Sequence, residues 1–240
     1  MSTWYRCTSC GDVSQTTFAR CRKCAGDLEA FDPEQHTRDT HLGVILDRSG
    51  SMLDQTEPTI KAFNKFVEEH QTLPGQAWLT LVLFNDEVQT PYRRIPIREV
   101  EPLTQLTYRA EGSTKLYDAI GETLTSLHEE ITPTITCILT DGLENDSQVY
   151  TTPESIKALI EAARERGWEF VFLGANQDAI LAGSSLGISQ SATMSTMNLT
   201  SEGFEVSYAC SSSYRMGGAT GTATSWVFVP ETISTPEDPI

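Results

Sequence analysis

The chain has 240 residues, 39% of them hydrophobic, with 17 Lys and Arg against 33 Asp and Glu and a net charge of −16. That length carries one medium domain with a small satellite, and the apolar share fills a sizeable core. The acidity argues against a nucleic-acid partner, because phosphate binding requires clustered Lys and Arg and no such block is present.

The first segment is marked by its cysteines. Cys7-x-x-Cys10 and Cys21-x-x-Cys24 are separated by ten residues. Residues 1–32 are too few to bury a core unaided, so something must staple them. Four thiolates satisfy a tetrahedral Zn²⁺ with no open position, which is the arrangement of a structural site. Gly11 directly follows the first pair and Gly26 follows the second by two residues, where the backbone turns toward the sulfurs. The spacing resembles a zinc ribbon. Two disulfides are the competing assignment, disfavoured in a cytoplasmic chain. An iron site would use the same four ligands. Arg6, Arg20, Arg22 and Lys23 are offset by Asp12, Asp27, Glu29 and Asp32, which favours a structural or protein-docking role over nucleic acid.

Residues 33–40 are polar and read as a linker. From His41 the pattern alternates strand and helix over the domain expected at 41–220. Leu42–Leu46 is an apolar strand. Ile60, Phe63, Phe66 and Val67 share one helical face, and that helix ends before Pro74-Gly75. Ala77–Phe84 and Glu87–Ile97 read as extended. Leu116, Ala119, Ile120, Leu124, Leu127 and Ile131 mark an amphipathic helix stopped by Pro133. Thr134–Thr140 is a buried strand in which Cys137 is a small hydrophobe. Thr152 caps a helix with Pro153 in its first turn and Ile156, Leu159, Ile160 and Ala163 inward. Gly167 ends that helix before the strand Trp168–Leu173. A last strand is expected near Met194–Leu199 and a helix near Phe204–Tyr214. Residues 221–240 form a C-terminal extension, loose in its final residues. Strands alternating with helices imply a doubly wound, mainly parallel α/β sheet with helices on both faces.

The chemistry concentrates at three element boundaries. Asp47-Arg48-Ser49-Gly50-Ser51 follows the first strand directly, Thr114 lies in Gly112-Ser113-Thr114, and Asp141 lies in Thr140-Asp141-Gly142. Alternation along an extended loop turns Asp47, Ser49 and Ser51 toward one centre. Hydroxyls and carboxylates suit a hard cation, Mg²⁺ before Ca²⁺. Two acids leave such an ion weakly compensated, so it attracts an outside carboxylate. Any one of these triplets alone is an ordinary turn or cap. All three, in this order at these boundaries, point to a metal site.

These residues resemble the von Willebrand factor A family over about residues 41–215. Asp47-Arg48-Ser49-Gly50-Ser51-Met52 is similar to its Asp-x-Ser-x-Ser motif, Thr114 to the motif threonine and Asp141 to the motif aspartate. The stretches 112–120 and 172–179 look like the bacterial and phage branch. The resemblance implies a metal-ion-dependent adhesion site. Ser49, Ser51 and Thr114 would bind Mg²⁺ or another divalent cation through hydroxyls, and Asp47 and Asp141 directly or through water. A partner protein's Glu or Asp would complete the shell. The late segments Ser211-Ser212-Ser213 and Gly217-Gly218 depart from a strong closing helix.

A nucleophile elbow, a Walker loop and a Rossmann glycine fingerprint are all missing from the sequence. The first reading is therefore a non-enzymatic, metal-dependent protein-interaction module. The alternatives are a Mg²⁺-dependent hydrolase or phosphotransferase on the same residues, and a nucleic-acid-binding ribbon on a scaffold domain. No apolar stretch reaches membrane-spanning length and the N-terminus has no signal core, so the expected location is the cytoplasm, without membrane contact. The triplets at Asn145 and Asn198 are then chance matches to a glycosylation signal.

Overall fold

The computed structural model describes residues 4–9, 13–15, 19–21, 24–32, 37–128, 134–174, 182–188 and 193–195, together with Phe204, Ser207, Ser211, Ser212 and Arg215. Two sheets form. In the first, β1 (Trp4–Cys7) lies between β2 (Val13–Gln15) and β3 (Leu28–Phe31), antiparallel to both.

The second sheet has six strands, β4 (Thr40–Asp47), β5 (Ala77–Phe84), β6 (Val88–Pro96), β7 (Thr134–Thr140), β8 (Glu169–Gly174) and β9 (Thr193–Ser195), ordered β6-β5-β4-β7-β8-β9. All neighbours are parallel except β6, which returns antiparallel along the β5 edge. Helices α1 (Thr56–Thr72), α2 (Leu116–Ser126) and α3 (Pro153–Glu165) make the connections. A 3₁₀ helix, Gly50–Gln55, leads into α1, and the sequence had not announced it.

The apolar strands are continuous in sequence because both faces of the sheet are covered. Their alternate residues feed two separate cores. Leu42, Val44 and Leu46 of β4, with Leu79, Leu81 and Leu83 of β5, pack with Phe63, Phe66 and Val67 of α1 and with Phe204. Cys137 belongs to this core. Ile45, Val82, Phe84, Ile138, Phe170 and Phe172 face the other way, against Leu116, Ile120 and Leu124 of α2 and Ile156 and Ile160 of α3. A fully buried side chain of this size contributes about 2 kcal/mol of transfer free energy, so two such layers make a self-sufficient scaffold.

The edge strand β6 is polar and mostly exposed, which explains why its sequence lacks a clean period. Pro91, Pro96, two register shifts and a positive φ of 49° at Arg94 keep that edge from pairing with another chain. Gly167 has a φ of 88° where α3 ends, and the Thr152 side chain accepts from the Ser155 N–H at its start. Helix α2 closes at Ser126, and Ile131, expected on its inner face, lies outside the described residues. Of the expected last strand, Thr193–Ser195 is extended and 196–199 lies outside the described residues. The five described positions between 204 and 215 are helical and, apart from Ser212, buried, consistent with one inward helix face.

Arg215 donates to His70 O at 2.9 Å and lies 3.0 Å from His70 Nδ1, which ties this segment to the end of α1. Among the described residues, no helix is long and apolar enough to cross a membrane.

Candidate metal centre

Strand β4 has β5 on one side and β7 on the other, and the connections after β4 and after β7 leave toward opposite faces of the sheet. Its carboxyl end is therefore a switch point, where loops diverge and leave a crevice. Asp47 is the last residue of β4 and is fully buried. Its Oδ1 accepts from the Ser49 N–H at 2.7 Å, and its Oδ2 accepts from Thr140 Oγ1 at 2.5 Å. The Tyr108 hydroxyl donates to its backbone carbonyl at 2.6 Å. Burial lifts the Asp47 carboxyl to about 6, against these hydrogen bonds, with the Asp141 charge a smaller upward contribution.

The hydroxyls converge beside it. Ser49 Oγ and Ser51 Oγ are 3.0 Å apart, and Ser51 Oγ donates to Asp141 Oδ1 at 2.6 Å. Asp141 is half-buried, and burial pushes its carboxyl up. Thr114 is buried, and a methyl placed on Gly142 would lie 3.3 Å from its Oγ1 and 3.7 Å from Ser51 Oγ. Glycine thus leaves open the space between these two hydroxyls. All five expected residues meet at one end of the sheet, from segments that are 94 residues apart at the extremes, 47 to 141.

Oxygens about 2.1 Å from an octahedral Mg²⁺ stand roughly 3 Å from one another, which the two serines match. The donor set fits a hard divalent cation. Ser49, Ser51, Thr114 and Asp141 would hold it. Asp47, with each carboxylate oxygen already accepting one bond, would orient Ser49 and reach the ion through a remaining lone pair or a water. The ion would supply positive charge for an incoming oxygen ligand.

A set of residues to which the sequence reading gave no role holds this arrangement. Asn85, next after β5, is its hub. It receives Arg48 Nη2 on its side-chain oxygen at 3.3 Å, donates to Glu111 O at 3.0 Å, and accepts the Lys115 N–H on its carbonyl at 2.9 Å. Gly50 N–H donates to Gly112 O at 3.0 Å. Gly112 has a φ of 78°, and a Cβ there would collide with the Asp86 carboxylate, so glycine is required.

The loop after β7 is stapled to the start of α2. Thr114 N–H donates to Asn145 Oδ1 at 2.9 Å, and Asn145 N–H returns to Thr114 O at 3.1 Å. Glu144 accepts the Tyr117 N–H at 2.8 Å, satisfying a helix-start donor. Asp118, buried in the first turn of α2, accepts the backbone N–H groups of Gln148, Val149 and Tyr150 at 2.8, 3.0 and 2.8 Å. The sequence signals for Asp118 were an acid at the start of an otherwise apolar helix face and its place in the 112–120 stretch. Asn85 and Asn145 gave none, because an asparagine in a loop is common.

In the small sheet, Cys7, Cys21 and Cys24 bring their sulfurs within 4.8 Å of one another. Cys7 and Cys24 are 3.5 Å apart, too far for a disulfide and close to the spacing of two thiolates on one Zn²⁺. The Ser9 N–H points at Cys7 Sγ at 3.4 Å. A Cβ on Gly26 would collide with the Ser9 side chain and lie 3.0 Å from the same sulfur, so the glycine lets the second turn pass close beside both. Cys10 lies outside the described residues. Three converging sulfurs fit a zinc site, which would supply the cross-link that three short strands lack.

A mainly parallel sheet with an oxygen-lined site at its switch point defines the class of this protein. The model of the von Willebrand factor type A domain matches residues 41–204, and the chain belongs to that family. Solved structures share the fold. Proximal thread matrix protein 1 from the mussel byssus aligns with a TM-score of 0.53 at 13% identity, over 75% of this chain and 47% of that one. The ArnB paralog VWA2 from Sulfolobus acidocaldarius aligns with 0.52 at 16%, over 82% and 47%. The byssus protein solved with a zinc-occupied MIDAS motif aligns with 0.51 at 16%, over 73% and 46%. The chain thus spans about half the length of the structures it matches. No curated protein matches its sequence.

Proposed function

We propose that this protein is a non-enzymatic docking module whose domain binds a carboxylate of a partner protein through a divalent cation. Mg²⁺ is the preferred ion, held by Ser49, Ser51 and Thr114, with Asp47 and Asp141 directly or through water. The partner's Glu or Asp takes the remaining position. The observation that carries this is the gathering of three hydroxyls and two acids at one end of β4. The byssus structure with zinc in its MIDAS motif supports a metal at the equivalent place in this fold.

The placement of His41 and His70 supports binding over catalysis. His41 is the second residue of β4 and Asp47 the last, about 20 Å away at the rise of a strand, and His70 is buried near the end of α1. Hydrolysis at the metal would need a base beyond the ligand acids. The proposed organisation is a ribbon at 1–32 with Zn²⁺ on Cys7, Cys10, Cys21 and Cys24, a linker at 33–40, the domain at 41–220 and an extension at 221–240. We place the protein in the cytoplasm, as an adaptor of a bacterial or phage complex.

The test is affinity capture from host lysate with Mg²⁺, with chelator, and with Thr114→Ala in Mg²⁺. A partner retained only by wild type with Mg²⁺ is the expected result. A partner held equally in all three lanes would move the binding surface away from the metal.

A further inference from the structure

The surface around the metal residues carries apolar side chains that the metal does not need. Among the described residues, four large hydrophobic side chains are exposed: Leu53 at 65%, Leu106 at 80%, Leu143 at 54% and Val149 at 70%. None lies on a strand or on the outer face of α1, α2 or α3. All four belong to connections between strands and helices, and Leu53 and Leu143 belong to the two that carry Ser51 and Asp141. Leu53 stands two residues after Ser51, and Leu143 two residues after Asp141. Ser51 Oγ and Asp141 Oδ1 are only 2.6 Å apart, so both leucines stand two residues from one contact.

Scattered surface leucines need no explanation, but two exposed leucines that each stand two residues from the same hydroxyl–carboxylate contact do. The leucines are also not excess core. Met52, the immediate neighbour of Leu53, is fully buried in the α1-side core, and Leu53 points away from that packing. The charge around the site limits what could cover them. Asp54, Glu111, Glu144 and Asp146 stand on these connections and Asp86 on the β5–β6 turn beside Gly112, against Arg48, Arg109 and Lys115. The chain as a whole carries −16. A run of acids on a partner would gain one metal bond and meet repulsion from the rest.

We infer that the occupant of this face is a partner segment bearing a single Asp or Glu flanked by aliphatic or aromatic side chains, the carboxylate on the metal and the apolar groups on Leu53 and Leu143. This rests on the metal-dependent docking proposed above and adds the sequence class of the ligand. The metal supplies the anchor, and the leucines supply the selectivity between a lone acid in an apolar setting and an acidic run.

A phage-displayed library of random peptides, panned on the full chain in Mg²⁺ and eluted with chelator, tests it. Enriched peptides should carry one carboxylate with apolar neighbours. Their affinity should fall at least about 10-fold on Leu53→Asn with Leu143→Asn, since each leucine loses most of its apolar burial. Mg²⁺ affinity and thermal midpoint should stay unchanged, because both side chains are exposed. Chelator-eluted peptides that are acidic runs, or that bind the double variant equally well, would overturn the inference and leave metal-dependent docking standing. No chelator-eluted enrichment on wild type would overturn both.

Discussion

The N-terminal cysteine segment, proposed as a zinc ribbon, and the proposed metal face of the large domain solve opposite problems. The segment's cysteines lie within 18 residues of one another in sequence, and its described strands are only three and four residues long. There the cross-link must make the fold. The oxygen residues of the large domain span 95 positions and are placed by two finished hydrophobic cores and a lattice of loop hydrogen bonds. There the fold makes the site. Metal removal should therefore unfold the first region and only empty the second.

The largest expected effect is on the ribbon. Cys21→Ser, or exposure to a strong zinc chelator, should abolish its bound metal and its amide protection. A zinc-finger-like site contributes on the order of 10 kcal/mol of folding free energy. Metal analysis and hydrogen exchange of residues 1–32 check this. Protection that survives chelation would break the contrast.

Next is the lattice that holds the metal face. Asp118→Ala strands three backbone N–H groups and should cost about 3 kcal/mol in urea denaturation, with or without Mg²⁺. A loss under about 1 kcal/mol would mean that the loop after β7 is held by other contacts.

Thr114→Ala should weaken Mg²⁺ binding roughly 10- to 100-fold by calorimetry. Its backbone bonds to Asn145 remain, so the thermal midpoint without metal should move little. A large drop in that midpoint would show the threonine to be structural.

The smallest effect sharpens the separation of scaffold from site. His41, buried at the start of β4, is held down to about 4, first by burial and then by the Arg94 charge. The unfolded chain binds that proton near 6.5, so stability is lost as pH falls from about 6.5 to about 4. The slope approaches about 1.4 kcal/mol per pH unit. His70, also lowered by burial, acts in the same sense. Asp47, raised by burial, acts in the opposite sense, so the readout is the difference in slope between wild type and His41→Gln. The same difference should appear in a Thr114→Ala background, because it arises at the opposite end of the strand.

The legible part of this protein was what depends on local pattern. The buried strands, the helix faces and the Thr152 cap follow from periodicity and from residue chemistry over a few positions. The five oxygen-bearing residues and the paired cysteines also stood out, because hydroxyls, acids and thiols at strand ends have few other reasons to recur together.

What only the tertiary structure decided was everything carried by contacts across the chain. Within the continuous apolar run of β4, Val44 enters one core and Ile45 the other, and an unbroken run of apolar residues does not say which face meets which helix. Nothing local in Asn85, Asn145 or Asp118 says that each closes hydrogen bonds to loops about 30 residues away. Nor does the sequence show that Leu53 and Leu143 each stand two residues from one contact, since 90 residues of chain separate them. Local chemistry is written in order along the chain. The partners of a loop side chain are set only when the sheet brings its strand ends together.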